Sequence, residues 1–334
     1  MHGSDMSPMS TSTTRPLWQR LLIRRLKFIV IITLLIIVVG GGSYLFAPQW
    51  LVQANFWRQA TAAQLEKKAV QAGDTRWVYY EGGQGPTIVL LHGFAANKEV
   101  WLPVAPLLTA HFHVVIPDLP GWGESSRNPG ASYNIDNQAE RLNDFIQTLH
   151  LQHSLIVGHS MGGAVAGVYA AEHPQDVAEL ALVDSLGLKF KENAFAKEVM
   201  SGKNIFDYND RAGFLSANAW AFEHVPSIPG RFIDVFVQEN IKNRAFIDST
   251  FNELRENSQV LSLQTRLDKL TMPVLGMWCH DDKIIDISAL ESLRTGLTNT
   301  PSISTSILNG CNHMPQMEKP QAFAQVLTNF MLAH

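Results

Sequence analysis

The sequence predicts an α/β fold, a mostly parallel twisted sheet with helices on both faces, carrying an inserted helical cap and an N-terminal transmembrane helix. Three observations lead there. Short β-rich apolar runs alternate with longer helical segments through most of the chain, the pattern of parallel strands covered on both sides. That alternation breaks between Ser185 and Leu270, where helical periods dominate over a stretch too long for a structureless loop. Finally, no Asp, Glu, Lys or Arg occurs from Phe28 to Trp57.

Taken in order, residues 1–27 read as a cytoplasmic tail, and the Ser-, Thr- and Met-rich stretch 1–14 as disordered. Residues 28–47 are the anchor, about the 20 residues that cross a hydrocarbon core of roughly 30 Å. A cleaved signal peptide fits less well, because the run exceeds a usual h-region and Leu45 spoils the small-x-small pattern before Ala47. Arg15, Arg20, Arg24, Arg25 and Lys27 precede the span, with only Arg58 close after it. This bias puts the N-terminus in the cytoplasm and the following domain outside it, in the periplasm if the cell is bacterial. Residues 48–73 read as a juxtamembrane helix, with Trp50, Phe56 and Trp57 as an interfacial collar and a polar helical stretch to about Gln71. The globular core then spans 74–185 and 271–334 around a helical cap at 186–270. Its expected strands are 75–80, 87–91, 112–116, 153–158, 178–183, 273–278 and 303–308. Its expected helices are 97–109, 134–149, 161–173, 287–297 and 319–332.

Composition removes several function classes. A formal charge of −4 and a pI near 6.3 offer no cationic field for a phosphate backbone, which argues against nucleic acid. Cys279 and Cys311 are too few for a disulfide framework and lack the paired spacing of a structural zinc site, so no metal is expected. Gly40-Gly41-Gly42 lies in the anchor, and Gly82-Gly83-Gln84-Gly85 precedes a proline and a strand rather than a helix. Neither is a phosphate loop, and no cofactor or obligate protein partner is implied.

The sharpest chemical signal is Gly158-His159-Ser160-Met161-Gly162-Gly163, directly after Leu155-Ile156-Val157 and before an Ala-rich helix. Small residues flanking a serine let a strand turn abruptly into a helix and present the hydroxyl at the strand's carboxyl end. A serine needs a general base oriented by a carboxylate, here expected in the order Ser, acid, His. His313 lies between the last apolar strand and the last helix, and Asp282 just past the strand beginning at Pro273. Asp281 and Asp184 are rival acids, and His92, His159 and His280 read as hydrogen-bonded turn residues, His92 the best placed to shape the pocket. Two amides must receive the oxyanion of acyl transfer, and the expected pair is Phe94, beyond Gly93, and Met161. Asp118 to Ser125, with two glycines, reads as a tight structural turn. The segment Leu186–Gln264 holds nine of seventeen phenylalanines, an apolar lid suited to an acyl chain. Cys279 ends the strand that delivers Asp282 and Cys311 lies in the loop that delivers His313, where they are either bridged or two buried thiols.

From about Arg76 to Phe330 the chain resembles the α/β-hydrolase superfamily. Leu91-His92-Gly93-Phe94, Asn97-Lys98, Asp118 to Ser125, Gly158 to Gly163 and Gln238 to Asn243 are similar to membrane-associated monoacylglycerol lipases and cold-active bacterial lipases. The resemblance implies hydrolysis of monoacylglycerols or other short and medium acyl esters at a membrane. Those lipases generally have Gly where this chain has Cys279. Carbon–carbon hydrolases and aminopeptidases share the triad, and a membrane-tethered binding protein would retain the fold without the chemistry.

Overall fold

Val, Ile and Leu dominate the central apolar runs, and alternate residues along them turn to opposite faces of a sheet. In the computed structural model, which describes residues 16–334, these runs build an eight-stranded sheet in the order β1-β2-β4-β3-β5-β6-β7-β8. The strands are β1 (Leu65–Ala72), β2 (Thr75–Gly82), β3 (Thr87–Leu91), β4 (His113–Pro117), β5 (Ser154–His159), β6 (Val177–Val183), β7 (Val274–Cys279) and β8 (Ile303–Leu308). β2 runs antiparallel to β1 and β4, and the pairs from β4 to β8 are parallel.

The helices are α1 (Leu17–Phe46), α2 (Pro48–Ala62), α3 (Ala105–Thr109), α4 (Ile135–Thr148), α5 (Met161–Glu172), α6 (Ala194–Met200), α7 (Arg211–Ala221), α8 (Gly230–Leu254), α9 (Asn257–Val260), α10 (Ala289–Gly296), α11 (Pro315–Glu318) and α12 (Pro320–Leu332). Val89, Leu91, Ile156 and Leu182 pack with α4, α5 and α10 on one face of the sheet. Their neighbours Ile88, Leu90, Val157 and Val183 pack with α3 and α12 on the other. Both faces are therefore dry, as the run-like rather than alternating hydrophobicity requires. α4 shows the local logic: Asn134 accepts a hydrogen bond from the Asn137 amide to cap it, and Ile135, Ala139, Leu142 and Ile146 recur at helical spacing along its buried side.

Two expected boundaries are corrected. The juxtamembrane helix expected over 48–73 ends at Ala62, and residues 65–72 form β1, paired with β2 along its whole length. A two-residue turn with Gly73 at φ +54° closes this hairpin, and backbone pairing overrides the helix-favouring Glu-Lys-Lys composition. That composition suits an edge, where charge discourages pairing with another chain. The sheet thus begins before Asp74. At the N-terminus, helix α1 starts at Leu17, so residues 17–27 of the expected tail are helical, whereas the disorder expected over 1–14 falls outside the described residues. α1 has a mean hydropathy of 2.5 over its most apolar stretch and is long and apolar enough to cross a membrane. The chain divides into two units, 1–51 and 52–334.

Between β6 and β7 the chain supplies the expected helical insertion, α6 to α9. Part of it has its own small core around Phe214, Ile233 and Val237. Phe190, Phe195, Phe206 and Phe251 instead face a cavity beneath it.

Candidate active site

The loops after β3 and β5 diverge where the strand order reverses, at the carboxyl edge of the sheet, which is where open α/β sheets leave a crevice. Ser160 directly follows β5 with φ +53°, a region a non-glycine residue enters only when its surroundings dictate it. Those surroundings are visible. Its N–H donates to Val183 O at 2.9 Å and its carbonyl accepts from Leu186 N at 3.0 Å. A Cβ on Gly158 would strike Gly162 O, and one on Gly162 would strike the Leu91 and His92 carbonyls, so only glycines allow α5 to start this close to β3.

His313 follows β8 and is buried with Asp282, which follows β7. The His313 Nδ1–H donates to Asp282 Oδ2 at 2.9 Å, while Asp282 Oδ1 accepts from the Ile284 and Ile285 amides at 2.8 and 3.0 Å. The carboxylate is thus held by three donors and fixes the imidazole tautomer. His313 is also held by its backbone: its N–H donates to Ala221 O at 2.9 Å, and its carbonyl accepts from the His159 Nε2–H at 2.6 Å. Burial, then the neighbouring His313, holds His159 well below the ordinary histidine range, so it serves as a neutral donor.

Neither rival acid is hydrogen-bonded to His313, although an Asp184 carboxylate oxygen lies within 4.8 Å of a His313 ring nitrogen. Asp281 bonds His280 on the surface. Asp184 is completely buried, with Oδ1 accepting from the Cys279 amide at 2.9 Å. Burial, then the adjacent Asp282 carboxylate, pushes the Asp184 carboxyl well above the carboxylate range. It is a neutral acid packed against a charged one.

Among the described residues, neither the Phe94 nor the Met161 amide donates to a protein acceptor. The Phe94 amide is aimed by His92. Leu119 N–H donates to His92 Nε2 at 3.0 Å, which leaves the proton on Nδ1, and Nδ1–H donates to Gly93 O at 2.8 Å. Gly93 O and Phe94 N–H belong to one planar peptide, so holding the carbonyl orients the amide. Burial lowers the His92 pKa and keeps this relay neutral. The turn Asp118–Ser125 is structural, as expected: Asp118 accepts from Lys98 N–H and Glu124 N–H, each at 2.8 Å, and from the buried Lys98 ammonium at 2.7 Å. This pins the loops after β3 and β4 to each other.

Ser160, His313, Gly93, Phe94 and Met161 open onto one cavity of about 180 Å³ whose remaining walls are mostly Leu, Ile, Val, Met and Phe. An apolar void of comparable size, about 150 Å³, stays dry and takes up hydrocarbon. The arrangement offers a hydroxyl, a base with its carboxylate, and two free amides at the end of a hydrocarbon-lined chamber. A family model for the α/β-hydrolase fold matches residues 86–320.

The chain belongs to the α/β-hydrolase fold family. Within that family it is 29% identical over 303 residues to the monoacylglycerol lipase abhd6-B of Xenopus laevis, covering 86% of this chain and 89% of the relative. It is 29% identical over 268 residues to lipase 3 of a Moraxella species, covering 78% and 82%. A solved bacterial membrane phospholipase A superposes with a TM-score of 0.82 at 31% identity, covering 92% of this chain and 98% of that one. This α/β-hydrolase is accordingly a lipase-like hydrolase.

The sequence reading missed Asn312. Its Oδ1 accepts from Lys283 N and its Nδ2 donates to Trp220 O, both at 2.8 Å, tying the acid loop, the base loop and α7 together. A side-chain amide beside the base, able to donate and accept at once, was the available signal. Cys279, at the end of β7, and Cys311, in the loop after β8, form a disulfide.

Proposed function

We propose that the protein hydrolyses carboxylic esters of lipids, monoacylglycerols or other short- and medium-chain acylglycerols, through an acyl-enzyme on Ser160. The observation that carries this reading is that His313, hydrogen-bonded to Asp282 behind it, lines the same apolar cavity as Ser160. Ser160 Oγ attacks the ester carbonyl while His313 Nε2 takes its proton and returns it to the leaving alcohol. A water, deprotonated by His313, then releases the fatty acid. Asp282 holds the Nδ1–H tautomer and stabilises the imidazolium. The Phe94 and Met161 amides receive the oxyanion, aided by the N-terminal end of α5. The named activities of the similar lipases support an ester substrate, and the phenylalanine-lined chamber supports an acyl chain. The arginine and lysine bias before the apolar helix supports a cytoplasmic N-terminus with the catalytic domain outside the cytoplasm.

A fluorophosphonate probe and an ester panel test the assignment. The wild type should label at Ser160, and Ser160→Ala or His313→Ala should lose about 10⁶ in turnover, as in other serine triads. Near-normal hydrolysis by a folded Ser160→Ala protein, or absent labelling of the wild type, overturns it in favour of a binding protein that keeps the fold.

A further inference from the structure

One side chain in the cavity wall does not belong in a hydrocarbon chamber. Arg255, at the carboxyl end of α8, is the sole Lys, Arg, Asp or Glu among the lining residues. Its guanidinium makes no hydrogen bond or ion pair with any described residue, and its Nε is buried without a partner. Two other arginines of this helix and its neighbour are paired: Arg244 with Asp207 at 2.7 Å and Arg211 with Asp234 at 2.6 Å. What Arg255 does touch is apolar or backbone. Its guanidinium carbon lies 5.6 Å from the Phe251 ring centroid, and a Cβ on Gly202, just past α6, would come within 3.1 Å of Nη1. A cation thus lines the chamber wall with no hydrogen-bond acceptor for it among the described residues. Desolvating such a group is costly unless an anion completes it.

We propose, building on the lipid-esterase reading above, that Arg255 binds the phosphate of a glycerophospholipid, so that the chamber selects an acyl ester carrying an anionic headgroup. The chemistry points to phosphate because the ligand must join hydrocarbon, a carboxylic ester and a group that accepts two parallel N–H bonds from a planar fork. A neutral monoacylglycerol fills the chamber and leaves the guanidinium unpaired. A lysophospholipid fills it and pairs the charge. Arg255 is on this account a specificity residue, separate from the bond-breaking groups, and its effect falls on KM.

The test compares full-length wild type, Arg255→Gln and Arg255→Lys on a lysophosphatidylglycerol and a monoacylglycerol of the same acyl chain, each dilute in neutral detergent micelles so that surface charge is equal. Arg255→Gln should lose about tenfold or more in kcat/KM on the lysophospholipid, as for one charge-assisted bond, mostly through KM, with the monoacylglycerol rate unchanged. Arg255→Lys should fall between. Equal losses on both substrates overturn the proposal. Should Arg255→Gln not fold, inhibition of the wild type decides: a non-hydrolysable ether analogue with a phosphate headgroup should inhibit about tenfold more strongly than its neutral counterpart. Equal inhibition overturns the proposal, as does an Arg255 dependence seen with free fatty acid and not with the phosphate ether. Fluorophosphonate labelling of every variant keeps the readings apart: loss of labelling in the wild type is a failure of the esterase, and intact labelling with no headgroup preference is a failure of this proposal alone.

Discussion

Asp184 and Asp282 follow neighbouring stretches of the sheet, and only their surroundings separate them. Asp282 receives two amides and an imidazole N–H, donors that favour the charged form. Asp184 receives one amide, and its second oxygen has no hydrogen-bond partner among the described residues. The chain order Ser, acid, His was legible in the sequence because each group must follow a strand, but both aspartates satisfy that rule. Two of the Asp282 donors are local amides, but the bond to His313, which Asp184 lacks, comes from 31 residues away, and no local pattern encodes it. Asp282→Asn should cut esterase turnover by about 10⁴. Asp184→Asn, which keeps the shape of a neutral carboxyl, should leave turnover within a few-fold of wild type by the same comparison of rates. The stability signs follow from the raised pKa of Asp184. The stability it contributes is complete below the unfolded value of about 4 and is lost as pH climbs toward the folded value. Asparagine suffers no such loss. The melting temperature of Asp184→Asn relative to wild type should therefore rise between about pH 4 and pH 8, and a difference flat across that range would falsify a neutral Asp184.

Among elements, all seven expected strands of the core appear within one or two residues, the runs buried on both faces and the half-exposed edge strand β8 alike. β1 was not readable, since only Leu65 and Ala72 of its eight residues are buried and its register is set by β2 rather than by its own pattern. Helix 97–109 was too generous for a related reason. It is a 3₁₀ turn at Lys98–Trp101 followed by the short α3, because Pro103 and Pro106 interrupt the hydrogen-bond ladder and Asp118 claims the Lys98 amide. The adjacency of β7 and β8 matters most for the site, since it brings Cys279 and Cys311 to a Cα separation of 5.5 Å. Sequence could state the condition for a bridge but not its fulfilment, which depends on strand order. The disulfide spans 32 residues and joins the end of β7 to the loop that carries His313. Closing a loop of that length in the unfolded chain contributes about 3 to 4 kcal/mol. A Cys279→Ala/Cys311→Ala double variant should unfold in urea with that loss of stability, while still labelling with fluorophosphonate at low temperature. Unchanged stability, or alkylation of both cysteines in native protein isolated without reductant, rejects the bridge.

For the molecule as a whole the question is which side of a membrane the sheet occupies. At 1.5 Å per residue the 30 residues of α1 extend about 45 Å, longer than a hydrocarbon core of roughly 30 Å. The part from Phe28 onward matches that thickness by itself, so in a membrane the turns carrying Arg20, Arg24, Arg25 and Lys27 would extend beyond it into the headgroup and aqueous region. Cations there favour the anionic, cytoplasmic leaflet, and the flank on the other side carries only Arg58 nearby. The expected arrangement is a cytoplasmic N-terminus and a catalytic domain on the far side, an environment in which the Cys279–Cys311 bridge persists if it is oxidising. In spheroplasts, or another preparation open only from outside, added protease should digest the domain beyond Val52 while an epitope at the N-terminus survives. Replacing the four cations with glutamine should weaken the bias and give a mixed population. Full protection of the catalytic domain in intact spheroplasts, with digestion only after lysis, rejects the orientation and leaves the esterase assignment to its own test.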